Sequence, residues 1–239
     1  MSADSFKRRE ASGSPGGDVI HPAVVRITHW LLTISVVGLL VSGIAILLSH
    51  PRLYWGETGT WSLPSLVDLP LPTVYGHSGW GRYLHFLSAW VCVLSGLTYV
   101  IAGVVSRHFR DRLIPSTGQL TWHAMTATVR EHLRWRRTSD DEAWQYNVVQ
   151  RLTYLTVVFV LFPAMIWTGL AMSPSLTAQF PFLATVLGGH QSARTLHFVV
   201  ANLLLLFLIA HLAMLVLVGF GSHVVAMITG RRPQRGSPA

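Results

Sequence analysis

The stretch TLHFVVANLLLLFLIAHLAMLVLVGFG, residues 195–221, decides the fold class of this chain. None of its 27 residues is Asp, Glu, Lys or Arg. At about 1.5 Å per residue, a helix of this length exceeds the roughly 30 Å thickness of a bilayer hydrocarbon core. A run this apolar and this long predicts a transmembrane helix.

Three further stretches repeat the pattern, and none of them contains Asp, Glu, Lys or Arg: 27–49, 83–106 and 152–172. Pro163 lies in the middle of the third stretch, where it predicts a kink. A proline is tolerated in a membrane helix because neighbouring groups satisfy the backbone atoms that it frees. Together with 195–221, these stretches predict an all-α integral membrane protein with a four-transmembrane-helix bundle.

The composition agrees with membrane insertion and excludes several classes of protein. Only 12% of the 239 side chains are charged, against about 25% in a typical soluble domain. A water-soluble enzyme is therefore not expected. The single cysteine, Cys92, excludes an internal disulfide, a cysteine-ligated iron–sulfur cluster and a c-type haem attachment site.

The distribution of basic residues predicts the orientation of the bundle. Of the 18 Lys and Arg residues, 15 precede the first span, follow the fourth, or lie in or beside the connection between the second and third. Cytoplasmic loops carry such an excess, so both termini and the loop 107–147 are predicted to be cytoplasmic. The loops 49–82 and 173–194 then face the periplasm or exterior. This orientation explains the net charge of +8 without a nucleic-acid partner.

One membrane domain is predicted over residues 22–225, between a disordered cytoplasmic tail at 1–21 and a second cytoplasmic tail at 226–239. Within the cytoplasmic loop, residues 120–135 have the pattern of an amphipathic surface helix. A solvated basic loop explains the same residues equally well. The sequence contains no convincing internal repeat.

Four of the twelve histidines lie inside the predicted spans: His29 in the first, His85 in the second, and His197 and His211 in the fourth. Histidines inside a membrane usually face the bundle interior with a partner. His197 and His211 are 14 residues apart, which places them on nearly one helix face and about 21 Å apart in depth. With the predicted orientation, His29 shares the inner level with His211, and His85 shares the outer level with His197. Two facing imidazoles can ligate a haem iron, so the pattern predicts two haems, one near each membrane surface.

An arginine stands three residues before three of these histidines, as Arg26, Arg82 and Arg194. Residues three apart share a helix face, and each arginine lies about one turn nearer to the water than its histidine. A guanidinium group binds a carboxylate through two hydrogen bonds. We therefore predict that these arginines bind haem propionates.

Two glycines, Gly43 and Gly96, fall near the histidine-bearing faces of spans one and two, at the level of the more distant haem. Because glycine has no side chain, this position predicts room for the macrocycle. Ordinary packing of small residues between membrane helices explains the two glycines equally well.

The same histidines could serve other functions. A single membrane histidine is commonly a hydrogen-bonded structural residue or a member of a proton relay. A transport path for a transition metal would add Asp, Glu, Cys or Met near the midplane. Span four offers only Asn202 as a polar residue between its two histidines. The pairing by depth therefore favours haem ligation.

Several motifs resemble a known family of membrane cytochromes. The segments HPAVVRITHWLL (21–32) and RYLHF (82–86), the Ser42–Gly43 pair and the histidine pair of span four are similar to the di-haem cytochrome b subunits of Ni/Fe-hydrogenases. Four further segments are similar to the thiosulfate-reductase cytochrome b subunit (membrane-anchor) branch of that superfamily: HPRLYWGE (50–57), NVVQRLTYL (147–155), TGLAMSP (168–174) and GGHQSARTLHF (188–198). The similarity extends from about residue 21 to residue 225.

The resemblance implies a bundle that encloses two b-type haems in the bacterial inner membrane. His29 and His211 would ligate the cytoplasmic-side haem iron, and His85 and His197 the periplasmic-side haem iron. Such subunits exchange electrons with the quinone pool and anchor a periplasmic partner, often a molybdopterin oxidoreductase or an iron–sulfur subunit. The chain is accordingly expected to be the electron-transfer subunit of an oxidoreductase rather than a complete enzyme, and no catalytic residue is assigned.

Two other functions stay open from the sequence. One is a self-contained redox enzyme, such as a quinone reductase that oxidises superoxide, and the other is a haem-free structural anchor. The resemblance also implies a quinone near the inner haem, where Arg26, Trp30, His108 and Arg151 could contact its head group. An ordinary interfacial position explains each of these four residues better than contact with a quinone head group.

Overall fold

The computed structural model describes residues 21–59, 62–74, 76, 78–106 and 148–231. The predicted cytoplasmic loop 107–147, with its segment 120–135 and His108, lies outside the described residues. In the described part, four helices are long and apolar enough to cross a membrane. The predicted four-span, predominantly helical architecture is therefore confirmed.

The described elements follow one another as α1 (Ala23–Ser49), β1 (Arg52–Leu53), β2 (Val67–Asp68), α2 (Ser78–Val105), α3 (Val148–Thr156), a π-helix (Val157–Leu161), α4 (Phe162–Ala171), α5 (Pro174–Gln179), α6 (Phe182–Thr185) and α7 (His190–Thr229). Span one is α1, span two is α2, span three runs from α3 through the π-helix to α4, and span four is α7. The strands form an antiparallel hairpin in which Arg52 and Asp68 are opposite each other and ion-paired at 3.0 Å.

Spans one and two pack closely through small residues at every seventh position. On span one these are Thr28, Ser35, Ser42 and Ser49, all of them buried. At one point of close approach, a Cβ atom on Gly38 would lie only 2.3 Å from Ser88 Oγ of span two. Small residues are typical of contacts between membrane helices, where lipid removes the hydrophobic drive for association and close packing must replace it.

The large apolar side chains of the spans lie mostly on the outside of the bundle. Many are more than half exposed, among them Ile34, Val37, Leu87, Trp90, Leu206 and Val216. Buried apolar residues in the described part are mostly small, such as Ala45, Ala171 and Ala193. This distribution is the reverse of that in a soluble domain and suits a surface in contact with lipid.

Span three departs from a regular α-helix just before its proline. The π-helix Val157–Leu161 leads directly into α4, where Pro163 lies in the first turn. Proline lacks an N–H group, and its ring would clash with the carbonyl four residues earlier in a regular helix. The irregularity predicted from Pro163 is thus a wider turn on its N-terminal side.

Span four is a helix of 40 residues with a break at Gly219. A straight helix of this length would extend about 60 Å, twice the hydrocarbon core of about 30 Å. Gly219 has φ 117° and ψ 85°, a backbone conformation that is open to glycine and strained for other residues. The helix continues to Thr229, four residues past the predicted domain boundary at residue 225.

The segment that follows this break returns to the start of span one. The backbone N–H of His21 donates to the carbonyl of Gly230 at 3.3 Å. The Arg26 guanidinium donates to the carbonyl of Ile228. Gly230 ends the helix in the left-handed conformation with φ 79°, as glycine often does at helix C-termini. The first and last described segments therefore meet on the predicted cytoplasmic side.

The loop after span one folds against the start of span four. The Gln191 N–H group donates to the carbonyl of Gly56 at 2.9 Å. The Thr195 hydroxyl donates to the carbonyl of Tyr54 at 2.7 Å. Leu53 is only 2% exposed and Tyr54 only 7%. This part of the loop is therefore docked on the bundle, next to the outer ends of the spans.

Candidate haem-binding site

His85 of span two and His197 of span four face each other near the predicted outer end of the bundle. Their ring centroids are 6.2 Å apart, and the ring planes are inclined by 60°. Both residues are partly buried. The structure thus brings together the two histidines of the predicted outer pair.

Each of these rings is also within hydrogen-bond distance of a hydroxyl group. His85 Nδ1 lies 3.0 Å from Ser42 Oγ, and His197 Nδ1 lies 2.9 Å from Thr168 Oγ1. With Nδ1 engaged, Nε2 is the nitrogen available to a metal. Neither hydroxyl contact was predicted, although the sequence carries one signal for them: a hydroxyl residue followed by glycine occurs once in span one and once in span three.

The outer pair has the separation that a haem iron requires. Two imidazoles that held one metal through bonds of about 2 Å would have ring centres no more than about 6 Å apart. The observed 6.2 Å agrees with this distance. Imidazole nitrogens are suitable ligands for iron, so the residues at this level fit a b-type haem.

The predicted inner pair has different surroundings. His29 of span one interacts electrostatically with His211 of span four. The ring of His29 packs edge-on against Trp30 with centroids 5.5 Å apart. Its Nδ1 atom is buried and has no hydrogen-bond partner among the described residues. An unpaired buried nitrogen is unfavourable, and this ring lacks the hydroxyl contact that orients each outer ring.

Aromatic rings surround His211. Phe207 stacks on it with centroids 5.9 Å apart and planes at 24°, and Tyr154 of span three meets it edge-on at 6.5 Å. Tyr154 and Thr168 are 14 residues apart, the same separation as His197 and His211. Span three therefore contacts both histidines of span four, with a hydroxyl at the outer level and an aromatic ring at the inner level.

Two of the predicted propionate arginines connect spans one and four at opposite ends. Arg194 of span four donates to the carbonyl of His50, the residue that ends span one. Arg26 of span one donates to the carbonyl of Ile228 near the end of span four. Cations at helix C-termini bind free carbonyls and complement the helix dipole. Each arginine lies one turn from a site histidine and donates a hydrogen bond to a carbonyl of another span or of the residue that ends it. Propionate binding stays a prediction.

The third arginine, Arg82, lies at the outer end of span two. It is exposed and lines an open cavity of about 380 Å³ with Gly79, Tyr83 and Phe86. Burial, with a further contribution from the positive charges of Arg194 and Arg82, lowers the pKa of His50. Two guanidinium groups therefore stand near His50, at the end of the bundle that carries the outer histidines.

The glycines differ in their distance from the imidazoles. A Cβ atom on Gly43 would lie 3.9 Å from Cε1 of His85, and one on Gly169 would lie 3.5 Å from Cε1 of His197. A Cβ atom on Gly96 would meet no described heavy atom within 4 Å. Gly43 is thus placed at the outer level, as predicted. Gly169 occupies the matching position on span three and was not predicted.

Within the described ranges, no group of three or more His, Cys, Asp or Glu residues could hold a metal ion by itself. The outer level instead offers two imidazoles, the number needed for the two axial positions of a haem iron.

Comparison with known proteins identifies the family. A family model described as prokaryotic cytochrome b561 matches residues 20–230. A curated protein of Azospira oryzae, named "Putative protein-methionine-sulfoxide reductase subunit YedZ1", is 30% identical over 216 residues, which is 88% of this chain and 96% of that protein. No solved structure matches the chain.

These matches confirm the membership in the cytochrome b superfamily that the motifs predicted, whereas the thiosulfate-reductase branch stays a prediction. Family membership implies haem b, and the four apolar helices imply a multi-pass protein of the inner membrane. The chain belongs to the prokaryotic cytochrome b561 family, whose members carry electrons across the membrane.

Proposed function

We propose that this chain carries electrons between the quinone pool and a periplasmic redox enzyme through two b-type haems, each bound between two histidines. His85 and His197 would bind the outer haem, and His29 and His211 the inner one. The observation that supports this most strongly is the 6.2 Å separation of the outer rings, with Nδ1 of each ring bonded elsewhere.

The haem groups would supply one-electron chemistry, because haem iron changes its charge by one without leaving its axial ligands. The residues of the chain would hold the ligands at two depths within the membrane bundle. Arg82 and Arg194 would neutralise propionates at the outer level, and Arg26 at the inner level. Gly43 and Gly96 would leave space for the macrocycles.

The partner is proposed to be a molybdopterin oxidoreductase that reduces methionine sulfoxide in periplasmic proteins. The name of the Azospira oryzae relative supports this choice over an oxidising partner. Oxidation of a quinol would supply two electrons and release two protons. Reduction of one sulfoxide would consume two electrons and two protons, and it would yield a thioether and water. Electrons would then flow from the quinol outward.

The first experiment tests the haem sites. The full chain, purified in detergent, is expected to contain two haems by the pyridine haemochrome assay. His85→Ala and His197→Ala should each remove one haem, and His29→Ala and His211→Ala should each remove the other. His190→Asn is the matched control, because His190 starts span four and the hydrogen bond given for its ring among the described residues is to the carbonyl of Met172. A colourless protein would refute the proposal in favour of a haem-free anchor.

The second experiment tests the partner. The tagged chain is isolated from membranes together with its bound subunits and supplied with a reduced quinone analogue. The proposal expects consumption of methionine sulfoxide, whereas consumption of thiosulfate would support the thiosulfate-reductase branch instead. Superoxide-dependent quinone reduction by the isolated chain would identify a self-contained enzyme.

The partner is proposed to dock on the loop 49–82, which faces the periplasm in the predicted orientation, and the third experiment tests this. Leu63 and Leu66 lie in the turn of the outer hairpin and are 43% and 59% exposed. A Leu63→Ser and Leu66→Ser double variant should lose electron transfer to the partner and keep both haems. The control is Leu87→Ser, an equally exposed leucine on the side of span two. Unchanged transfer in the hairpin variant would contradict docking at this loop.

A further inference from the structure

Two dipeptides of the same kind contact the outer histidines. Ser42–Gly43 on span one contacts His85 of span two, and Thr168–Gly169 on span three contacts His197 of span four. In each helix hairpin, the first helix supplies a hydroxyl and a glycine, and the second supplies the imidazole. The similarity of the two contacts suggests a common purpose.

The direction of the two hydrogen bonds follows from the proton on each hydroxyl. Ser42 Oγ lies 2.6 Å from the carbonyl oxygen of Gly38, and Thr168 Oγ1 lies 2.8 Å from that of Ala164. A hydroxyl has one proton, and a carbonyl can only accept. Each hydroxyl therefore donates to its own helix and accepts a hydrogen bond from the imidazole.

The proton of each imidazole is consequently on Nδ1. A neutral imidazole with a proton on Nδ1 has its lone pair on Nε2. The glycine that follows each hydroxyl keeps a side chain away from Cε1, the ring atom between the two nitrogens. In each ring, the hydrogen bond thus fixes Nδ1, and no side chain of the glycine crowds Cε1.

We infer that Ser42 and Thr168 are positioning residues that hold His85 and His197 in the tautomer that ligates through Nε2 and that set the reduction potential of the outer haem. This inference rests on the proposed function. A hydrogen bond donated from Nδ1 makes Nε2 a stronger electron donor. A stronger donor favours the oxidised iron, so both hydroxyls lower the potential.

The inner level provides an internal reference. Nδ1 of His29 has no hydrogen-bond partner among the described residues, and His211 packs against the rings of Phe207 and Tyr154, which also contact each other. Among the described residues, the hydrogen bonds of Ser42 and Thr168 to histidines are those with His85 and His197, not with either inner histidine. Loss of the two hydroxyls should therefore change one haem and leave the other unchanged.

The test uses the full-length, haem-loaded protein with Ser42→Ala, with Thr168→Val and with both changes. Redox titration followed by optical spectroscopy should show a higher potential for the outer haem in each single variant and a further rise in the double variant. The low-temperature EPR signal of the oxidised outer haem should shift as well, because the imidazole planes are freed. The potential and EPR signal of the inner haem should stay the same.

Two kinds of control separate this role from a general effect on packing. Ser35→Ala removes a buried hydroxyl of the same helix face that donates to the carbonyl of Leu32, and it should leave both potentials unchanged. Thr168→Ser keeps the hydroxyl and removes only a methyl group, so it should retain the wild-type potential. If the double variant fails to fold, the comparison of Thr168→Val with Thr168→Ser decides the question.

The outcomes distinguish this inference from the proposal beneath it. A wild-type chain without haem would refute the proposed function. Two haems in the wild type, with an outer potential and EPR signal that do not respond to Ser42→Ala or Thr168→Val, would overturn the inference alone. Selective loss of the outer haem in the double variant, with the inner haem retained, would support it.

Discussion

The two histidine levels of this bundle are built from different side chains. At the outer level, hydroxyl groups at 3.0 and 2.9 Å fix Nδ1 of His85 and His197. At the inner level, the rings of Trp30, Phe207 and Tyr154 surround the histidines instead. Hydrogen bonds define the orientation of a ring, whereas aromatic packing defines mainly its position and excludes water.

With a haem at each level, as proposed, this difference would give two chemically identical cofactors unlike properties. Axial ligation by two histidines is proposed at both levels, so any difference in potential must come from what the histidines contact. The outer level is the more sharply constrained of the two. Changes there should act on ligand geometry, and changes at the inner level should act on packing.

The largest effect is expected from Gly169→Leu at the outer level. A Cβ atom alone would lie 3.5 Å from Cε1 of His197, so the further carbons of leucine must displace the ring. We expect loss of the outer haem, measured as a fall from two haems to one. Gly221→Leu is the control, since a Cβ atom there would meet no described heavy atom within 4 Å. Retention of both haems in Gly169→Leu would show that the outer level is less constrained than argued here.

A smaller effect is expected from Phe207→Leu at the inner level. The change removes the ring stacked on His211 at 5.9 Å and keeps an apolar side chain. An aromatic pair contributes about 0.5–1.5 kcal/mol beyond its buried area, so the inner haem should be retained with a faster rate of loss on dilution. The rate of transfer of haem to apomyoglobin measures this change. The outer haem should be lost at the wild-type rate, and equal acceleration at both levels would remove the distinction between them.

A third comparison concerns the two arginines that join spans one and four. A hydrogen bond from a charged group contributes about 1.5–3 kcal/mol when buried, and less is expected at these accessible ends. Arg194→Gln should destabilise the outer haem, and Arg26→Gln the inner one, each by about 1 kcal/mol or less. Thermal release of each haem, followed by its own absorption band, tests this. Destabilisation of the opposite haem by either variant would contradict the assignment of levels.

The smallest effect is the contribution of His50, at the outer end of span one, to the pH dependence of stability. The pKa of His50 is lowered by burial and then by Arg194 and Arg82. The folded state binds this proton less readily than the unfolded state. The contribution of His50 to the free energy of unfolding is therefore fully present above about pH 6.5. It should decline slightly as the pH falls below that value. His50→Gln should remove this component of the pH dependence, measured by thermal unfolding at pH 7.5 and 5.5, and an unchanged profile would refute it.

The spans and the approach of His85 to His197 could be predicted because they depend on local composition and helical spacing. The run 195–221 has no charged residue, and the separation of 14 residues between His197 and His211 specifies both a shared face and two depths. The Arg–x–x–His pattern likewise follows from the geometry of one helix. These features need no knowledge of which helix packs on which.

The hydroxyl contacts could not be predicted, because they depend on the register between two helices. Whether Ser42 meets His85 or lipid is decided by the close packing around Gly38 and Ser88. The π-turn before Pro163 could be expected only as an unspecified irregularity. The break at Gly219 was not predicted, and the span 195–221 was expected to be continuous. A glycine in the sequence does not reveal whether it serves close packing or a positive φ angle.

The contact between His21 and Gly230 has a consequence for engineering of the molecule. Since their backbones are hydrogen-bonded at 3.3 Å, a few residues of linker would suffice to join the two ends of the described chain. New ends could then be opened between spans two and three, which would give a circular permutant with the order three, four, one, two. Such a chain would insert its helix pairs in the reverse order and still present the same four imidazoles to one another.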